Sequence, residues 1–184
     1  MRKKCVVILA LFAGLLAAEP ATAELGLRFD EGMWRLEVSG AKGLYSGRRS
    51  RQNDTQFVAE LEYEVPASPR ATLGLRLLPL LVYDQNDRNH DTIWGAGAGI
   101  GLRYYLQRDT YRGLYGEADG AIIGHSGKID GNSGSFNFLV GFGVGYQFNN
   151  NWHTAIKWRH ISNASTASRN AGANTIGLAI GYRF

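Results

Sequence analysis

Along most of this chain every second residue is large and apolar, and no other feature limits the available folds so strongly. A period of two puts those residues on one face of a β-strand. Phe136, Phe138, Val140, Phe142, Val144, Tyr146 and Phe148 alternate with small or polar residues, among them Gly141, Gly143 and Gly145. At the C-terminal end Ile176, Leu178, Ile180, Tyr182 and Phe184 do the same against Gly177, Ala179, Gly181 and Arg183. The alternation predicts eight strands, at 33–42, 56–65, 71–83, 92–106, 111–123, 135–148, 152–162 and 174–184. The third is apolar on both faces and contains Pro79, which cannot donate to a ladder and predicts an irregularity there.

The connections alternate in length. Gly43–Thr55, Asp84–Asp91, Gly124–Gly134 and Asn163–Ala173 are long and polar, whereas Pro66–Arg70, Gln107–Thr110 and Asn149–Asn151 are short. An even number of strands with long loops at one end and short turns at the other is the pattern of a transmembrane barrel. A soluble sandwich or lipocalin-like barrel would also alternate. It would, however, place its large apolar residues inside and its charges outside. Here the opposite face is rich in glycine, with 24 glycines in the chain, which suits the crowded lumen of a small barrel. The expected fold is therefore all-β, an eight-stranded antiparallel transmembrane β-barrel, with both termini on the short-turn side.

The N-terminus agrees with export. Arg2, Lys3 and Lys4 precede an apolar run from Cys5 to Ala18, and Ala21-Thr22-Ala23 closes it. That is the pattern of a cleaved signal peptide, 1–23, ahead of a barrel domain at 24–184. Its removal takes Arg2, Lys3, Lys4 and Glu19 with it, so the formal charge falls from +4 to +2. A nucleic-acid partner loses its support with that basicity. Cys5, the only cysteine, also leaves, which excludes a disulfide-stapled module. The expected location is the outer membrane of a Gram-negative cell, among its lipids.

The seventh segment carries the one polar pair that invites a chemical explanation. Its apolar parity, Trp152, Thr154, Ile156 and Trp158, continues to His160 and Ser162. Ten steps of ~3.3 Å at a ~40° tilt rise about 25 Å, the height of the apolar band. His160 and Ser162 should therefore stand side by side on the outside of the barrel, at the outer-leaflet boundary. A histidine beside a serine hydroxyl offers a base and a nucleophile.

Trp158-Arg159-His160-Ile161-Ser162-Asn163-Ala164, with Asn170 and Gly172 following, resembles the corresponding element of the lipid A 3-O-deacylase (PagL) family. The resemblance covers about the last 25 residues, beyond length, signal peptide and barrel pattern. It implies an eight-stranded outer-membrane serine esterase that removes the ester-linked 3-hydroxyacyl chain of lipid A in lipopolysaccharide. Ser162 would be the nucleophile and His160 the base. Asn163, with the backbone N–H groups just after it, would stabilise the oxyanion, and Asn170 would order the loop. No cofactor or metal is implied, and whether the barrel forms a homodimer stays open.

One departure bears on the chemistry. The family's histidine is oriented by a glutamate on the last strand, and the matching position holds Asn174. An amide oxygen can accept the imidazole N–H and fix the ring. It cannot stabilise imidazolium as a carboxylate does, which implies a slow enzyme. The alternative is a non-catalytic structural or adhesive barrel of the same fold. A pore is disfavoured because side chains fill an eight-stranded lumen.

Other signals have plainer readings. The Gly95, Gly97, Gly99, Gly101 series has the spacing of an inward strand face rather than a phosphate loop. Glu117, Asp119, Glu60 and Glu62 share inward parity and should pair with Arg76, Arg103 or Lys157. His90, His125 and His153 lack metal-ligand spacing and are expected at the surface, and Asp84–Asp87 as a solvated loop.

Overall fold

The computed structural model describes residues 26–45, 51–86 and 91–184. The signal-peptide expectation and His90 lie outside the described residues. After a single 3-10 turn (Phe29–Glu31) come eight strands: β1 (Met33–Leu44), β2 (Thr55–Pro66), β3 (Ala71–Asp84), β4 (Thr92–Tyr105), β5 (Gly113–His125), β6 (Phe136–Gln147), β7 (Trp152–Ser162) and β8 (Ala173–Arg183). Each pairs antiparallel with its sequence neighbours, and β1 also pairs with β8, so the sheet is a closed barrel. The C-terminal residue completes the closure: Phe184 N donates to Trp34 O at 2.8 Å, and Trp34 N donates back at 2.9 Å. Closure leaves no unpaired strand edge, the condition for crossing a bilayer with strands.

The alternation sorts residues as the sequence predicts. Trp34, Leu36, Phe57, Leu75, Trp94, Ile100, Val144, Ile156, Leu178 and Ile180 stand exposed on the outer wall. Exposed apolar side chains all round a barrel require a lipid solvent. The register slips between Leu78 and Leu81, where Pro79 lies, and between Ala59 and Leu61 on the facing strand. The irregularity expected at Pro79 is present.

Side chains fill the lumen in three layers. Toward the long loops, Val58, Leu78, Leu81, Tyr83, Ile93, Ile123, Ile129, Leu139 and Ile161 pack together. Toward the short turns, Tyr105, Tyr111, Tyr115, Ala155 and Ala179 form a second cluster. Between them lies a buried ionic lattice. Arg76 contacts Glu62, Glu117 and Asp119 at 3.2, 3.2 and 3.0 Å. Arg103 reaches Glu62 at 2.7 Å, Lys157 reaches Glu117 at 2.9 Å, and Arg35 meets Glu64 at 2.8 Å. The carboxylates expected to pair inside do so. Inward glycines give this lattice its room: a Cβ on Gly101 would strike the Arg76 guanidinium, and one on Gly141 the Asp119 carboxylate.

Three expectations fail. His153 is fully buried on β7 and bonds Glu37 at 2.9 Å, because its parity is inward and the lattice supplies a carboxylate. His125, at the end of β5, is half-buried, its Nδ1 donating to Gly127 O at 2.8 Å and its Nε2 accepting from Asn137 at 2.5 Å. Gln85 is buried rather than solvated, bonding Lys128 O and Asp130 N at 3.2 and 2.6 Å. The described parts of the long loops supply these partners, Lys128 and Asp130 among them.

Candidate active site

β7 brings His160 and Ser162 to the outer wall near its final turn of chain. Ile161 between them points inward and is buried, while His160 and Ser162 are part-exposed. β8 returns in register, so that Asn174 pairs with His160 across the ladder. Cross-strand partners on one face have side chains in reach of each other. Here the imidazole Nδ1 donates to Asn174 Oδ1 at 2.6 Å. That bond leaves Nε2 as the ring's lone-pair nitrogen. Neither Nε2 nor Ser162 Oγ bonds a described side chain.

The ring is held from behind by aromatic stacking. Trp158, two residues earlier on the same face, lies parallel to His160 with centroids 6.1 Å apart and planes 12° apart. Trp158 in turn stacks on Phe142 of β6 at 6.0 Å. On the other side is Gly172, whose Cβ, were there one, would sit 2.5 Å from His160 Cε1. The imidazole is thus confined by Trp158, Asn174 and a bare backbone. The sequence motif contains Trp158 and Gly172 but assigns neither a role, since stacking and clearance appear only once β6, β7 and β8 are adjacent.

Beyond Ser162 the chain turns sharply. Asn163 points inward and is fully buried. Its amide donates to Asn132 Oδ1 and Arg169 O, both at 2.8 Å, and accepts from Ser165 N at 2.9 Å. Its own N–H goes to Asn170 Oδ1 at 3.0 Å. The Asn163 side chain and N–H are therefore fully used in ordering the loop. Asn170 orders the loop by accepting that N–H. Ala164 and Ser165 follow at φ +50° and +67°, the left-handed region that L residues enter at a cost. The Asn163 bonds hold them there. Ala164 N–H is accepted by none of the described residues.

Arg51, from the loop after β1, braces this corner. It is buried, donating from Nη2 to Asp130 O at 2.5 Å and from Nε to Gly172 O at 3.4 Å. Arg51 and Asn132 lie in loops, which carry no periodic signal, and reach Asp130, Gly172 and Asn163 far away in sequence, so sequence reasoning missed them. Among the described residues no group of three or more metal-ligating side chains occurs.

On the β6 side the wall is apolar. Phe138 pairs with Ser162 and Val140 with His160. A groove between Ile100, Ile122, Phe138 and Val140, floored by Gly120, runs from there across β5.

Comparison with known proteins agrees with this architecture. The crystal structure of the outer membrane enzyme PagL superposes with a TM-score of 0.59 at 19% identity, covering 79% of this chain and 98% of that one. Neisserial surface protein A gives 0.54 at 14% identity, covering 86% and 99%. The N-terminal barrel domain of Pseudomonas aeruginosa OprF gives 0.51 at 13%, covering 83% and 97%. At these identities the likeness shows the fold. No curated protein matches the sequence. A family profile described as lipid A 3-O-deacylase (PagL) matches residues 21–183, and the chain, an eight-stranded barrel of the Gram-negative outer membrane, belongs to that family.

Proposed function

We propose that this protein is a serine esterase that hydrolyses the ester-linked 3-hydroxyacyl chain at position 3 of lipid A. The observation that carries the reading is the His160–Asn174 bond at 2.6 Å beside Ser162, on the lipid-facing side of the barrel wall. Fixing Nδ1 as the donor leaves Nε2 to take the hydroxyl proton of its neighbour. Family membership supports the substrate, and position supports it independently. A nucleophile on the outer wall meets an acyl ester without drawing the lipid out of the bilayer.

The proposed steps are those of a serine–histidine pair. Ser162 Oγ attacks the ester carbonyl as His160 Nε2 takes its proton. The tetrahedral oxyanion needs a donor nearby, and the unclaimed Ala164 N–H is the group we assign to it. Imidazolium then protonates the departing sugar oxygen. Water, activated by His160, next cleaves the acyl-serine and releases a 3-hydroxy fatty acid. The groove past Phe138 and Val140 accommodates hydrocarbon.

Asn174 secures orientation without charge. The face of Trp158 supplies part of what is missing, because an aromatic face attracts a cation by about 0.5–1 kcal/mol at an exposed site. A fluorophosphonate probe tests the nucleophile. Folded protein should gain one adduct at Ser162, lost in Ser162→Ala and slowed in His160→Ala. Absence of the adduct in folded wild type would support the non-catalytic barrel instead.

A further inference from the structure

Among the described strand residues the outer wall carries one cation. Among the described strand residues, the outward faces hold two charged side chains, Lys42 on β1 and Asp84 at the last position of β3. Asp84 is satisfied locally, accepting from Thr92 Oγ1 at 2.8 Å. Lys42 is exposed, and no described residue pairs with it. Its neighbours on the wall are Ile176 of β8, Thr55 of β2, and Leu44 two residues on. Gly40, two residues earlier on the same face, leaves the wall open beside it, with nothing within 4 Å of where a Cβ would be.

The ladder fixes where this cation stands relative to the nucleophile. His160 pairs with Asn174 and Asn174 with Leu44, while Trp158 pairs with Ile176 and Ile176 with Lys42. Lys42 is therefore two strands and two residues from His160. At ~4.8 Å between strands and ~3.3 Å per residue the backbones are about 12 Å apart. A flexible four-carbon stem carries the ammonium further toward the headgroups. A disaccharide headgroup bridges such a span, whereas a single sugar ring does not.

An unpaired ammonium on a lipid-facing wall is costly at depth and stable only where it meets water or an anion. Lipid A is a phosphorylated disaccharide, so an ester seated at Ser162 brings a phosphate to the same stretch of wall. We propose that Lys42 is a specificity residue of the esterase site, binding a phosphate of the lipid A molecule whose acyl ester lies at Ser162. This rests on the esterase reading above. Lys42 touches no reacting atom; it sets the register of the headgroup on the wall.

The test compares wild type, Lys42→Gln and Lys42→Arg on bisphosphorylated lipid A and on the same lipid stripped of both phosphates by hydrofluoric acid. Both substrates are presented in neutral mixed micelles, with and without phosphatidylglycerol. A charge-assisted hydrogen bond to phosphate predicts about a tenfold loss of kcat/KM for Lys42→Gln on the phosphorylated lipid, carried by KM. It also predicts no loss on the stripped lipid, and recovery in Lys42→Arg. Equal losses on both substrates, no loss on either, or a loss that needs phosphatidylglycerol would overturn the proposal while wild-type turnover leaves the esterase standing. No wild-type turnover on either substrate would fail the esterase reading and this proposal with it. Heat-modifiable gel mobility reports folding of each variant.

Discussion

At the scale of single residues, the account turns on what confines one imidazole. Asn174 lies opposite His160 and accepts its Nδ1 proton, so the His–Asn half of the proposed triad is in place and the charge is missing. Restoring the carboxylate should raise activity. Asn174→Glu is expected to increase kcat by about tenfold or more, since the carboxylate-to-amide change in a serine protease triad costs about 10⁴. Steady-state deacylation measures it, and unchanged kcat in a folded variant would remove Asn174 from the site. Gly172 tests the other side of the ring. A Cβ there would meet His160 Cε1 at 2.5 Å, Nε2 at 3.1 Å and Ile161 O at 3.3 Å, and the backbone oxygen cannot yield. Gly172→Ala should displace the imidazole and lower kcat by about 10²-fold, the cost of misplacing a catalytic group by an ångström, with folding intact. Full activity would mean the ring is not held as described.

At the scale of elements, β7 does two jobs with its two faces. Outward it presents Trp158, His160 and Ser162; inward it sends Lys157 and Arg159 into the ionic lattice. Lys157 holds two carboxylates, Glu117 at 2.9 Å and Glu37 closer still. Lys157→Met would remove the cation they share, leaving Glu37 to His153 and Glu117 to Arg76 and Arg103, and removing one partner of a buried pair costs about 3–5 kcal/mol. Urea unfolding in lipid vesicles should show that loss, while the folded fraction keeps its turnover because the outward face is untouched. An unshifted midpoint would show that the lattice is not what holds β7. Much of this was legible in the sequence. Period-two alternation placed all eight strands and both faces, and parity alone put His160, Ser162 and Asn174 on one side. The surface expectation for His153 runs against that same parity: it stands inside the seventh predicted strand between outward Trp152 and Thr154, and so faces the lumen. The role of Asn163 could be read only in part. Parity says nothing about a residue that leaves the strand, and its partners Asn132 and Arg169 lie in two different loops.

At the scale of the whole molecule, polarity is inverted relative to a soluble protein: ions inside, hydrocarbon outside, and the proposed Ser162–His160 pair at the boundary where wall meets loops. The loops reinforce that corner. Arg51 ties the loop after β1 to Asp130 and Gly172, and Ser133 N donates to Arg169 O at 3.0 Å, joining the loops that flank the site. Such a barrel needs no lumenal passage, because the substrate is itself a component of the surrounding membrane. The central claim is that Ser162, with His160 held by Asn174, cleaves lipid A in that setting. The most direct measurement is to incubate folded, detergent-purified protein with lipopolysaccharide and weigh the lipid A by mass spectrometry, beside Ser162→Ala. The account predicts loss of one 3-hydroxyacyl mass with wild type and none with the variant. Unchanged lipid A with wild type, across several lipid A chemotypes, would contradict it.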